Sequence, residues 1–356
     1  MVQVGMLLSD VPQSVTPAQQ FRDILRIVDA AQEEGMTYIA IGQHFLYGDL
    51  RWLQPVPLLA RLAAHVEPDV KLAAQVLIGP LYHPVMLAEE IATLDIVTEG
   101  RLVFGIGLGY RREEFDYFGV PYKESGKRLD ETLEIVKRLW TEDEVSHNGE
   151  FWQLDEVRPH IRPIQEPHPT IWVGAHAIPG VRRAGRFGDA YACPPETPLH
   201  EVAERYEIVA EEFAKRNKPF GSQPLRRNTM IAKTDVEAAE EYARVAQGRY
   251  ISYSEHGLDV MDSGELQRDF LKAVAGHAVV GTHETVTSRL VEIVESLPVE
   301  PLLLRPQWPT QDADEAVAVI RALGEQVIPA ITALDPAEAI DLKPHDQAPS
   351  DSENTK

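Results

Sequence analysis

The most regular alternation of hydrophobic and polar positions runs from residue 70 to residue 106. Residues 70–78 (VKLAAQVLI) are apolar almost throughout, the pattern of a strand covered on both faces. Gly79-Pro80 stops that run, and Pro84 opens a helix. Its apolar positions Val85, Leu87, Ala88, Ile91, Leu94 and Val97 suit one buried face, with Asp95 as the polar exception. Gly100 ends the helix, because glycine takes the left-handed conformation without a side-chain penalty. Residues 101–106 follow as a second buried strand, parallel to the first.

The same alternation recurs along the chain. Residues 2–8 read as a strand, Thr16-Pro17 opens a helix reaching Glu34, residues 37–42 form a second strand, and Pro55-Val56-Pro57 leads into a helix to about Val66. A fourth helix spans 123–140, with Ile135, Val136, Leu139 and Trp140 inward. Residues 145–155 predict a hairpin insertion turning at Asn148-Gly149, both residues at positive φ. Strands at 169–174, 189–193, 226–232 and 300–304 then alternate with helices ending at Phe187 and spanning 198–216, 236–247, 284–297 and 312–328. Residues 248–276 fit no barrel role and predict a lid-like insertion. Eight β–α pairs without a Pro-Ser-Gly linker predict an α/β fold, a (β/α)8 TIM barrel with insertions over 1–334. The acidic stretch 335–356 lacks periodicity and predicts a disordered tail.

Composition narrows the partners. The 356 residues carry a formal charge of −22, which argues against nucleic acid or an anionic membrane surface. The hydrophobic fraction of 44% supplies ample core, and no stretch approaches the ~18 consecutive apolar residues of a membrane span. Cys193 is the one cysteine and cannot make an internal disulfide; with no basic start and apolar core at the N-terminus, a cytoplasmic location is expected.

The strand at 101–106 runs into Gly105-Ile106-Gly107-Leu108-Gly109-Tyr110, which bares backbone where a parallel sheet exposes the carboxyl ends of its strands and binds ligands. A dinucleotide fingerprint would need a third glycine where Tyr110 stands, and Gly126-Lys127-Arg128 is no phosphate loop, since it lacks both the correctly spaced first glycine and the Ser or Thr after lysine. No metal is expected, since HExxH and paired Cys-x-x-Cys spacings are absent and His160, His168 and His176 share no helical face. Gly-x-Ser-x-Gly is absent too.

His83-Pro84, Leu94-Asp95, Gly100-Arg101-Leu102, Gly105 to Tyr110, Glu114-Phe115 and Gly119 stand in the order and spacing of one family, with support from Trp172-Val173-Gly174, Arg182-Arg183-Ala184 and Val280-Gly281-Thr282. Over about residues 2–330 the chain resembles the bacterial luciferase-like, flavin-dependent monooxygenase superfamily. The resemblance implies FMN at the carboxyl ends of the barrel strands and oxygen chemistry. His44 matches a histidine near the reactive face of the flavin, and Gln43 stands where luciferase has its catalytic histidine. A cis peptide beneath the flavin falls at Gln75-Val76, and Gly107 and Gly109 belong to the cofactor wall.

The loop after strand five begins Gly-Gly-Ser in most relatives and helps hold the cofactor phosphate; here it reads Gly174-Ala175-His176-Ala177. Main-chain N–H groups ahead of a helix still suit an anion. Luciferase has a phosphate-binding arginine where this chain has Leu108, and Tyr110 is the candidate substitute. Arg305 and Trp308 are expected to face the same mouth, where Arg305 would hold an anionic substrate or a flavin oxygen, or pair with a protein carboxylate. The implied activity is a two-component monooxygenase acting with dioxygen on a small organic substrate, expected to be neutral and hydrophobic such as an aldehyde or ketone. Reduced FMN would come from a separate NAD(P)H:flavin reductase, and the resemblance implies a homodimer. The alternatives are a deazaflavin-dependent hydride-transfer enzyme, for whose acidic coenzyme tail Arg111, Arg112, Arg182 and Arg183 are candidates, and a non-catalytic flavin-binding relative.

Overall fold

The computed structural model describes residues 1–255 and 263–338. Eight parallel strands follow one another round a ring in chain order: β1 (Val4–Leu8), β2 (Tyr38–Ile41), β3 (Lys71–Ile78), β4 (Leu102–Gly107), β5 (Thr170–Gly174), β6 (Ala190–Ala192), β7 (Gln223–Ile231) and β8 (Val299–Arg305). β8 pairs with both β1 and β7, and a Cys193–Leu225 bridge joins β6 to β7 and closes the ring. Helices α1 (Pro17–Glu33), α2 (Pro55–Ala63), α3 (Pro84–Val97), α4 (Ser125–Thr141), α5 (Ile178–Phe187), α6 (Leu199–Lys215), α7 (Asp235–Glu255), α8 (His283–Ser296) and α9 (Ala313–Ala322) accompany the strands.

Local signals set these boundaries. The Thr16 hydroxyl caps α1 by accepting from Gln19 N at 3.2 Å, and Asp312 and Glu315 form a reciprocal capping box at the start of α9. Asp95, the polar exception in α3, is fully buried. Its carboxylate accepts from the amides of Ile164 and Gln165 at 2.8 and 3.0 Å, so it fixes the approach of the chain to β5.

Alternation along the strands splits the interior in two. One set of side chains packs outward against the helices, whereas Leu7, Ala73, Val103, Leu303 and their neighbours fill the barrel axis. Tyr38 and Trp172 stack across that axis with centroids 6.1 Å apart and plug it. A Cβ at Gly5 would lie 2.3 Å from Tyr38 Cβ, so glycine there makes room for the plug.

Three elements differ from the sequence expectation. The hairpin pairs Asn148 with Gln153, leaving a four-residue loop in which neither Asn148 nor Gly149 has positive φ. Glu131 of α4 explains it: its carboxylate accepts from Trp152 N at 2.8 Å and Phe151 N at 3.1 Å, and drawing the tip down costs the tight turn. α7 runs through Gly248 to Glu255, because Tyr250 and Arg249 on that extra turn are buried by tertiary packing that overrides one glycine. Of the expected lid, residues 263–274 carry two short helices, and residues 256–262 lie outside the described residues, as do 339–356 of the expected tail. A further short strand, Val279–Gly281, pairs beside the end of β7. No helix among the described residues is long and apolar enough to cross a membrane.

Candidate active site

Above the Tyr38–Trp172 plug, at the carboxyl ends of the strands, opens a cavity of about 560 Å³. That volume is ordinary for a small-molecule site. Glycine bares one wall. A Cβ at Gly107 would lie 2.9 Å from Val76 Cγ2 and 3.1 Å from Gly174 O, one at Gly174 would lie 3.1 Å from Val76 Cγ1, and Gly109 has φ +76°. Val76 therefore stands between two glycines with no side chain to spare on either side. The Gln75–Val76 peptide is cis, and Gln75 Oε1 is buried in this wall without a hydrogen-bond donor among the described residues. A flat ligand with N–H groups on its edge fits such a slot and such an orphaned acceptor.

His44 follows β2 and lines the cavity. Its Nδ1 lies 3.0 Å from Glu114 Oε1, which also accepts from Phe45 N at 2.8 Å. An oxygen that already accepts an amide proton makes Nδ1 the protonated nitrogen, which leaves the Nε2 lone pair free. Burial pushes the His44 pKa down and outweighs the opposing pull of Glu114, so the ring is neutral at neutral pH. The Tyr110 hydroxyl lies 3.5 Å from Nε2 and 3.5 Å from the Tyr47 hydroxyl, and burial holds its pKa well above the ordinary value. Tyr110, in the loop after β4, is thus a neighbour of His44 on the cavity wall. Gln43 is held in the wall: its Nε2 donates to Tyr82 Oη at 2.6 Å and to Gln54 Oε1 at 3.0 Å, and its Oε1 accepts from Ile78 N at 2.9 Å.

The loop Gly174, Ala175, His176, Ala177 borders the cavity and leads into α5. Among the described residues the amides of His176 and Ala177 find no acceptor, so two directed N–H groups ahead of a helix stand ready for an anion. The loop is fixed from behind by Tyr191 Oη, which donates to Ala175 O at 2.8 Å. Burial, then the charges of Arg205 and Arg226, push His176 down to about 4, and it acts as a neutral hydrogen-bonding group.

His277, beside Tyr250 Oη at 3.3 Å, is likewise pushed down to about 4, first by burial and then by Arg227. Both rings take up protons near 6.5 when unfolded and near 4 when folded, so stability is complete above about pH 6.5 and falls as the pH is lowered toward about 4. Each ring contributes a slope of up to ~1.4 kcal/mol per pH unit inside that window. Denaturant unfolding of His277→Gln between pH 4.5 and 7 is expected to show a slope shallower by about that amount; an unchanged slope would contradict the assignment.

Across the cavity stand Arg226 of β7, Arg305 at the end of β8 and Glu196 after β6. The mouth is therefore not poor in basic groups, and the expectation of a neutral substrate loses its ground. Trp308 requires a second correction. It is fully buried, with its ring beneath the Arg305 guanidinium at 4.3 Å and edge-on to Tyr242 at 5.4 Å, and it does not line the cavity. The chain turns after β8, and Trp308 packs under the arginine instead of beside it.

A family model described as luciferase-like monooxygenase matches residues 2–300. The chain belongs to the luciferase-like monooxygenase family. It is 30% identical over 239 residues to the oxygenase component of a flavin-dependent trigonelline monooxygenase from Acinetobacter baylyi, spanning 66% of this chain and 65% of that relative. It is 29% identical over 317 residues to an F420-dependent glucose-6-phosphate dehydrogenase from Amycolatopsis mediterranei, covering 85% and 86% of the two chains. A solved monooxygenase from Streptomyces bottropensis superposes with a TM-score of 0.82 at 25% identity, over 92% of this chain and 99% of the other. The first of these relatives is thus named for a flavin-dependent monooxygenase, the second for an F420-dependent dehydrogenase and the third for a monooxygenase.

The luciferase-like barrel also exposes groups that the sequence did not mark as site residues. Glu114 stood in a family motif, but its pairing with His44, 70 positions away, has no local signal. Trp52 lies edge-on to the His44 ring at 4.9 Å. Arg249 of α7 pairs with the buried Asp10 and lies 5.2 Å over the Tyr47 ring. Arg226 did have a signal: two arginines in an otherwise strand-like run (QPLRRNTMI) must, at period two, point one inward and one outward.

Proposed function

We propose that this chain is the oxygenase of a two-component system, a reduced-FMN-dependent monooxygenase that inserts one atom of dioxygen into a small organic substrate. A separate NAD(P)H:flavin reductase would be its partner. Reduced FMN, when bound, supplies the electrons that activate dioxygen. Gly107, Gly109 and Gly174 let Val76 and Ile78 pack flat into the wall on which the flavin ring would lie, Gln75 Oε1 would accept from a ring N–H, and the amides of His176 and Ala177 would hold the phosphate. His44 Nε2 accepts or returns a proton at the reacting face, with Glu114 fixing its tautomer. Trp52, Tyr110 and Tyr253 narrow the mouth and keep water out.

The observation that carries FMN over deazaflavin is the engagement of the cations an acidic coenzyme tail would need. Arg111 is 3% exposed and tied to Glu113, Arg182 pairs with Glu212, and Arg183 with Asp130, which leaves Arg112 alone among the four candidates without a carboxylate partner among the described residues. Anaerobic titration with reduced FMN, oxidised FMN and F420 tests the reading. Reduced FMN is expected to bind at least about tenfold tighter than F420. Micromolar F420 binding with weak FMN binding would transfer the protein to hydride-transfer chemistry.

A further inference from the structure

Three arginines line the cavity, and two are engaged by the protein. Arg183 pairs with Asp130 and donates to Gly126 O at 3.2 Å. Arg305 donates to Ser9 Oγ at 2.9 Å and Gln307 O at 3.3 Å and lies 3.8 Å from Asp10. Arg226 differs. Among the described residues its side chain makes no hydrogen bond and no ion pair, and its Nε is buried without an acceptor. Glu196 is the counter-charge acting most strongly on it, yet the two form no ion pair within 4 Å.

A guanidinium removed from water is costly unless an anion meets it. This chain carries 56 carboxylate side chains against 34 basic ones, so a cation left facing an open cavity is no accident of a basic surface. The missing anion belongs to a ligand. The cofactor phosphate has its own donors in the amides after β5, two strands round the barrel from Arg226. Beside Arg226 stand Glu196, whose pKa burial pushes up toward the neutral, proton-donating form, and Tyr253, whose ring meets Tyr110 edge to face.

We propose that the substrate held in this cavity is an organic acid, its carboxylate paired with Arg226 and its apolar body packed against Tyr253, Tyr110 and Trp52. Its oxidation rests on the flavin-dependent reading above; its binding does not. A planar guanidinium meets a carboxylate through paired N–H donors, and the low dielectric of the cavity makes the pairing selective against an uncharged isostere.

Benzoate and benzamide, equal in shape and different in charge, are the probes. Each is titrated calorimetrically at pH 7.5 into the parent protein and into Arg226→Gln and Arg226→Lys, with and without saturating FMN. The parent is expected to bind benzoate at least about tenfold tighter than benzamide. Arg226→Gln should remove that preference while leaving FMN affinity within about twofold, and Arg226→Lys should restore part of it. Equal binding of the two probes by the parent, or no binding of either, overturns the proposal. Loss of FMN affinity in Arg226→Gln also overturns it and assigns the arginine to the cofactor. A preference for benzoate in a protein that fails to bind FMN keeps the acid site and removes the flavin reading instead.

Discussion

Replacing His44 by alanine is expected to lower product formation by roughly 100-fold or more while leaving FMN affinity within a few-fold of the parent, the usual scale of a lost general acid or base. The geometry sets this expectation. Glu114 Oε1 accepts from Nδ1–H at 3.0 Å, so the Nε2 lone pair faces the cavity, and among the described residues its one hydrogen-bond neighbour is the Tyr110 hydroxyl at 3.5 Å. Burial keeps the ring neutral, which is the state a base needs. Glu114→Gln offers the comparison: its amide oxygen can still accept from Nδ1 and from Phe45 N, so the ring stays in place while the charge that raised its pKa is lost. The acid limb of the pH–rate profile should then move to lower pH, with a rate loss smaller than that of His44→Ala. Product formed per dioxygen consumed is the measurement, and a parent-like yield from His44→Ala would remove the histidine from the chemistry.

The barrel was legible because its boundaries are written in single residues. Thr16, Pro84, Gly100 and Asp312 each do locally what the expectation required, and the closely apolar runs of β3 and β4 left little choice of element. Most of the cavity wall was legible for the same reason: glycines at strand ends mark where backbone must approach something closely. What failed was side-chain direction outside regular elements. Trp308 lies in the turn after β8, where no period says which way a ring faces, and an adjacent guanidinium gave it a buried face to cover. Asn148-Gly149 is a strong local turn signal, overruled by Glu131, which lies far enough back in the chain to be invisible to a local reading. Arg226 and Glu114 show the same limit from the other side, since their significance is the partner that one lacks and the other has across the barrel.

Gly174→Val is expected to weaken binding of reduced FMN by about 100-fold or more, whereas His176→Ala should weaken it by only a few-fold. The contrast follows from what each residue offers. At Gly174 the first added carbon would already stand 3.1 Å from Val76 Cγ1, and valine adds two further methyls to that crowded contact, so Val76 in the cavity wall or β5, which pairs with β4, must shift. Gly174→Ala should fall between parent and valine, because Val76 can yield by a few tenths of an ångström to one carbon. His176, pushed down to about 4, brings no charge to the phosphate at neutral pH, and its loss removes at most one neutral hydrogen bond while its own backbone amide remains. Riboflavin, which has the ring and not the phosphate, separates the two effects: it should bind the parent much more weakly than FMN, be almost indifferent to His176→Ala, and still be excluded by Gly174→Val. Thermal unfolding of each variant checks that the barrel is intact. Equal affinity of the parent for riboflavin and FMN would remove the anion site after β5, and parent-like FMN affinity in a folded Gly174→Val protein would remove the flavin from this slot.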